Sequence, residues 1–235
     1  MELLYSIIEN ANTWYFILII PTMIFTLWAQ FNVKSTFNKY SNVASSRGIT
    51  GAMAADMVLR ANGVYDVKIE HVSGSLTDHY DPRTNTIRLS ETVYNSKSIA
   101  AIGVAAHEAG HAVQYATNYF PIRIRSAIIP VTQFGSKLAM PLFILGLIFG
   151  SFLVEVGIIL FSLSVVFQFI TLPVEFNASK RAMQSIRENN IAYDDELNYA
   201  RKTLTAAALT YVAALATGLL SLLRLIAIAG GRRRD

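Results

Sequence analysis

From Leu138 to Val174 the chain carries a single charged residue, Glu155, among apolar and small polar side chains. One helical membrane crossing uses about 20 mostly apolar residues, so this run is long enough for two spans joined tightly near Glu155. Backbone groups in hydrocarbon must pair within their own segment, which makes such spans helical. A hairpin returns the chain to the side it left. Glu175 onward is therefore expected in the same compartment as the residues before Leu138. A second run, Trp14 to Phe31 with Pro21 inside, also has the length of a span. A cleavable signal would need a basic start and a small-residue cleavage site. This segment instead begins with Glu2 and Glu9 and has neither, so it reads as a permanent anchor. Lys34, Lys39 and Arg47 follow it, which places the chain beyond Phe31 in the cytoplasm and the N-terminus outside. The last run, Leu204 to Ala229, has a polar stripe, because Thr203, Thr210, Thr217 and Arg224 recur at heptad spacing. A crossing here would put Arg232, Arg233 and Arg234 outside, against the charge rule. Two expectations stand for it: a fourth span, or a helix lying on the membrane surface.

The expected class is a mainly α membrane protein with a small β-sheet and three or four transmembrane helices. Apolar residues make up 53% of the 235 and charged residues 15%, against roughly 45–50% and 25% in soluble domains. There is no cysteine, which excludes disulfides, cysteine zinc fingers and a thiol nucleophile. The net charge of +4 comes without a basic run interleaved with aromatics, so nothing supports nucleic-acid binding. The expected organisation is an anchor over 1–31 and a folded polar unit over 32–137. A membrane hairpin follows over 138–174, then a charged helical region over 175–203, and an apolar helix with a basic tail over 204–235.

Within the polar unit, Ile49 to Ala61 has helical periodicity and Gly63 is placed to stop it. Val67 to Val72 alternates as a strand does. Leu76 to Tyr80 and Thr86 to Ser90 flank the turn-rich Asp81-Pro82-Arg83-Thr84-Asn85, as in a hairpin. Ser96 or Ser98 can cap a helix running from Ile99 to about Tyr115.

That last helix carries His107-Glu108-Ala109-Gly110-His111. Positions four apart share a helix face, so both imidazoles can reach one ion with Glu108 beside them. Two neutral histidines and a carboxylate able to take a proton from water form the zinc-peptidase arrangement. Ala105, Ala106, Ala109, Gly110 and Ala112 leave room around it. The bland alternative is a helix with two core histidines, but two of only four histidines fall at this spacing. A catalytic zinc site takes a third protein ligand, and the carboxylates downstream are Glu155, Glu175, Glu188, Asp194, Asp195 and Glu196. Glu155 falls at the far end of the hairpin. Glu175 emerges on the side of His107 and opens the helix Glu175 to Ser179, so it is the expected ligand.

Several blocks extend the pattern. They are Gly74 to Pro82, Ile87 to Ser90, Ala105 to Gln114, Leu172 to Ser179 and Ala206 to Ala213. In order and in content they resemble the bacterial YugP-like neutral zinc metallopeptidases of the membrane. The resemblance covers most of the chain from Gly51 to Arg224. It implies a gluzincin-type site, distantly like that of the HtpX-type membrane proteases, with one zinc ion and Glu175 as its glutamate ligand. Asn177 departs from the pattern, where aspartate is the more usual residue. The implied activity is hydrolysis of polypeptides at the cytoplasmic face of the cell membrane, with the bilayer as the other partner; oligomeric state is not indicated.

In Asp78-His79-Tyr80-Asp81, either His79 or Tyr80 could stabilise an oxyanion, or the cluster simply builds a hairpin. Gluzincins commonly take substrate as an added strand, and Thr86 to Ser90 is the expected sheet edge. Arg181 either neutralises Glu175, contacts the transition state, or lies on a solvated helix face. His71 reads as an ordinary strand residue. Two rival functions stand beside peptide hydrolysis. An intramembrane site-2-type protease draws a ligand from a segment ending in Asp-Gly, a pair missing from this sequence. A silent membrane scaffold or zinc-binding protein has no use for Glu108.

Overall fold

The computed structural model describes the backbone of residues 2–232 and the side chains of residues 15–230. The expected positions of Arg233 and Arg234 lie outside the described residues. Six helices and three strands follow in the order α1 (Glu2–Ser41), α2 (Gly51–Ala61), β1 (Lys68–Val72), β2 (His79–Asp81), β3 (Thr86–Ser90), α3 (Ile99–Ala116), α4 (Phe120–Phe149), α5 (Ser151–Glu188) and α6 (Asp194–Arg232). The mainly α class with a small sheet and up to four spans holds.

The chain forms two compact units, and α1, α4, α5 and α6 each contribute to both. One unit contains α1 up to Ala29, Ile124–Leu172 of α4 and α5, and α6 from Thr210. Its helices are long and apolar enough to cross a membrane, giving four candidate spans on α1, α4, α5 and α6. Phe16, Trp28, Phe134, Phe149 and Phe169 face outward, as lipid-facing side chains do, while the polar groups of α1 and α6 meet inside. Thr26 and Thr217 hydroxyls lie 3.2 Å apart, and the Arg224 guanidinium sits 4.3 Å from the Tyr15 ring centre. The heptad stripe on α6 is therefore at least partly a helix–helix seam. α4 and α5 turn at Gly150, whose φ of +149° only glycine adopts readily.

The other unit, Gln30–Arg123 and Pro173–Leu209, holds the sheet and the histidine helix. The strand order is β1-β3-β2, with β1 parallel and β2 antiparallel to β3. This corrects the expectation for Thr86 to Ser90: β3 is the central strand, and its Ile87 and Leu89 are fully buried. Its burial pattern, closed at both ends and on both faces, is that of a central strand rather than an edge. The edges are β1 and the three-residue β2. α3 packs on α2, β2 and β3, and Ser98, not Ser96, caps it by accepting a hydrogen bond from Ala101 N–H at 3.2 Å. α3 is apolar because it is the core helix of this unit, with Ile99, Ile102, Ala105, Ala109 and Val113 almost fully enclosed.

A second correction concerns Glu175. It does not open a helix, because α5 runs unbroken from Ser151 to Glu188 through Pro173. Proline has no N–H for the carbonyl one turn back, yet membrane-spanning helices tolerate it, and Pro173 itself is exposed. The break expected after the apolar run lies instead at Asn189–Tyr193, between α5 and α6.

Candidate metal centre

The spacing of α3 places His107 and His111 on one face, and their rings stand edge to face with centres 4.7 Å apart. α5 lies against that face at unusually short range. A Cβ added to Gly110 would meet the Ala178 carbonyl oxygen at 2.6 Å, so only glycine permits the approach. The result is that Glu175 reaches both histidines. Its Oε2 lies 3.2 Å from His107 Nε2 and 3.4 Å from His111 Nε2. Zinc held tetrahedrally by nitrogen and carboxylate oxygen, at about 2.0–2.2 Å, sets neighbouring donor atoms about 3.3–3.5 Å apart. Both separations are close to the edges of that tetrahedron. His107, His111 and Glu175 form a potential metal-holding group.

Hydrogen bonds at the far side of each ring select the right tautomer. Gln114, fully buried, donates from Nε2 to the Val174 carbonyl at 2.8 Å and to Asn177 Oδ1 at 3.0 Å. A carbonyl can only accept, so the orientation of the amide is fixed and its Oε1 faces His111 Nδ1, 3.0 Å away. Nδ1 therefore carries the proton and Nε2 keeps its lone pair. His107 Nδ1 lies 3.1 Å from Ser179 Oγ, and donation to that oxygen frees Nε2 in the same way. Orienting bonds of this kind accompany almost every histidine ligand.

Charge supports the assignment. Glu175 is 2% exposed, and a buried carboxylate requires neutralisation. Burial alone pushes the His111 imidazole down. Its contact with Glu175, the charge of Glu108 and the Gln114 carbonyl outweigh this and raise its pKa. A cation is thus favoured between these side chains, and the donor set of two imidazole nitrogens and a carboxylate oxygen suits zinc.

Glu108 is buried next to His111 on α3. Asn177 accepts from Gln114 and also from Arg181 Nε at 2.8 Å. Arg181 thus reaches the centre through Asn177, Gln114 and His111, and its guanidinium lies 5.8 Å from the Tyr119 ring centre. His79 lies on the exposed edge strand with Nδ1 donating to the Thr77 carbonyl at 2.8 Å, so Nε2 faces away with its lone pair. The Tyr80 hydroxyl donates to Asn85 Oδ1 at 2.6 Å. Burial, with smaller contributions from Tyr115, Asp66 and Asp81, raises the Tyr80 pKa to about 12. Gln114 and Ser179 were missed in the sequence. The signal was available: Gln114 follows His111 by three and Ser179 follows Glu175 by four, both same-face spacings on a helix.

Comparison with known proteins decides the family. Residues 15–230 match the family described as "Putative neutral zinc metallopeptidase". The chain belongs to that family. It is also 52% identical over 204 residues to the "Putative membrane protease YugP" of Bacillus subtilis (strain 168), covering 86% of this chain and 91% of that protein. No solved structure matches it. The family's description agrees with the donor set found between α3 and α5.

Proposed function

We propose that the protein is a zinc-dependent endopeptidase of the cell membrane that hydrolyses polypeptides at its cytoplasmic face. The observation carrying this reading is the Glu175 Oε2 at 3.2 Å from His107 Nε2 and 3.4 Å from His111 Nε2, beside the buried Glu108. Three protein ligands are the count of a catalytic zinc site, whereas structural sites take four. His107, His111 and Glu175 would hold one ion. When bound, zinc makes water available as a nucleophile near neutral pH and polarises the scissile carbonyl.

The protein's own residues do the remaining work. Glu108 is the general base that accepts the proton of the attacking water on its carboxylate, then donates it to the leaving amine. Gln114 and Ser179 hold the histidine rings in the metal-binding tautomer. On β2 the Tyr80 hydroxyl is spent on Asn85 and the neutral His79 ring presents a lone pair at Nε2, so His79 would hold an oxyanion only as the doubly protonated imidazolium. The free edge of β2 suits an added substrate strand, a role that β3 cannot take. An intramembrane site-2-type arrangement is disfavoured, because the apolar character of α3 is accounted for by burial against α2 and the sheet.

The test compares wild type with Glu108→Gln for casein cleavage and for zinc content. Full zinc in both, with cleavage lost in the variant by at least about 100-fold, supports the assignment. Cleavage retained by the variant would remove Glu108 from the mechanism. Zinc without cleavage in the wild type would favour the scaffold reading.

A further inference from the structure

A cleft of ≈ 360 Å³ opens beside the metal centre, in the same unit, between the end of α2 and the last three turns of α5. Its lining is polar, and its charged side chains are two cations, Lys180 and Arg181, and one carboxylate, Glu188. Glu188 is engaged, accepting from Gln184 Nε2 at 2.8 Å. Two helix C-termini border the cleft, and their carbonyls would disfavour an anion. Side-chain amides cover them: Asn62 donates to the Val58 carbonyl at 2.8 Å and Asn189 to the Ser185 carbonyl at 2.9 Å. With two cations against one carboxylate, the lining side chains keep a net positive charge of one. Lys180 has no hydrogen-bond or ion-pair partner among the described residues. Arg181 is fixed at Nε by Asn177 and rests over Tyr119, which leaves its two terminal nitrogens presented as a ready fork.

The position along α5 indicates what fills this fork. Val174 is the last residue of the apolar run, and Lys180 follows it by about 9 Å of helix rise. The headgroup layer of a bilayer extends roughly 5–8 Å beyond the hydrocarbon, so the Lys180 backbone lies just outside it and a lysine side chain, tilted toward the helix N-terminus, is long enough to reach back into it. Phe176, exposed on the same helix between Val174 and Lys180, is an aromatic side chain of the kind typical of a membrane interface. We infer that the cleft binds the phosphate headgroup of an anionic phospholipid through Lys180 and Arg181. The hydrogen-bonded series Arg181–Asn177–Gln114–His111 then connects headgroup occupancy to the metal centre. That connection, though not the lipid site itself, rests on the function proposed above. A bound headgroup holds Arg181, and with it the Asn177 oxygen that orients Gln114 against His111, so zinc is held more tightly in an anionic membrane.

Lipid selectivity is measured on metal-free, full-length protein offered equal phosphatidylglycerol and phosphatidylcholine, with retained lipid read by native mass spectrometry. Wild type is expected to prefer phosphatidylglycerol. Lys180→Ala lowers the preference about 5-fold and Lys180→Ala/Arg181→Ala about 25-fold, while Lys68→Ala, on β1 outside the cleft, leaves it unchanged. Equal retention of both lipids by wild type, or an unchanged preference in the double variant, overturns the inference. Displacement of the lipid by inorganic phosphate or by an acidic peptide would assign the cleft to a soluble anion or to substrate, and also overturns it. Zinc affinity is then read by chelator competition in bilayers of each lipid. Tighter binding in phosphatidylglycerol for wild type, absent in the double variant, supports the connection; equal affinity refutes it. Absence of zinc binding in either lipid would sink the metal centre and the connection together, and the lipid measurement would still decide the headgroup site.

Discussion

His107 and His111 are ligands only if each ring presents its Nε2 lone pair, and at residue scale that depends on Ser179 and Gln114. Gln114→Leu removes the acceptor for His111 Nδ1–H and leaves the Val174 carbonyl without its amide donor. Loss of such an orienting bond typically weakens metal affinity by about 10–100-fold. The same range is expected for Ser179→Ala, with the fold intact by circular dichroism; unchanged zinc affinity would show that the rings are held by packing alone. Asp81 supplies a pH prediction. The hydrogen bond from Arg88, then the Arg83 backbone N–H, bring its pKa down from 3.8 to about 2. The folded value lies below the unfolded one, so this contribution to stability is complete above pH 3.8 and disappears as pH falls through about 2. A carboxyl carbon titration by NMR that finds Asp81 near the ordinary value would contradict it.

At the scale of elements, the centre depends on how closely α3 and α5 approach, and that is set at Gly110. Gly110→Ala places a methyl group against the Ala178 carbonyl. Overpacking of this kind costs about 1–3 kcal/mol, and it would move Glu175 off the histidine face. The expected outcome is a lowered melting temperature together with lost zinc, whereas Ala109→Gly should keep the metal. The sequence made α3 legible because a buried ligand helix combines two periodic signals, apolar enclosure and histidines four apart. It made Glu175 legible because a hairpin must return the chain. It did not reveal that α5 continues through Pro173, because proline removes a helix hydrogen bond and so reads locally as an end. Strand order was also hidden. Thr86 to Ser90 alternates no differently from an edge strand, and its central place follows from β1 pairing across a long connection that leaves no local signature.

At the scale of the whole molecule, four candidate spans would return the C-terminus to the side of the N-terminus, and the orientation proposed from the charge rule has the histidine unit in the cytoplasm. Because the chain has no cysteine, a single Lys68→Cys on exposed β1 reports orientation without background. In right-side-out vesicles it should resist a membrane-impermeant maleimide and react once the vesicles are opened. Labelling before opening would reverse the proposed orientation. The most direct test of the account is X-ray absorption at the zinc edge of purified, detergent-solubilised protein. The expected result is one zinc per chain with two imidazole nitrogens at about 2.0–2.1 Å and oxygen at about 2.0–2.2 Å in four-coordinate geometry, and one imidazole fewer in His111→Ala. Zinc ligated by oxygen alone, or a spectrum unchanged by His111→Ala, would contradict it.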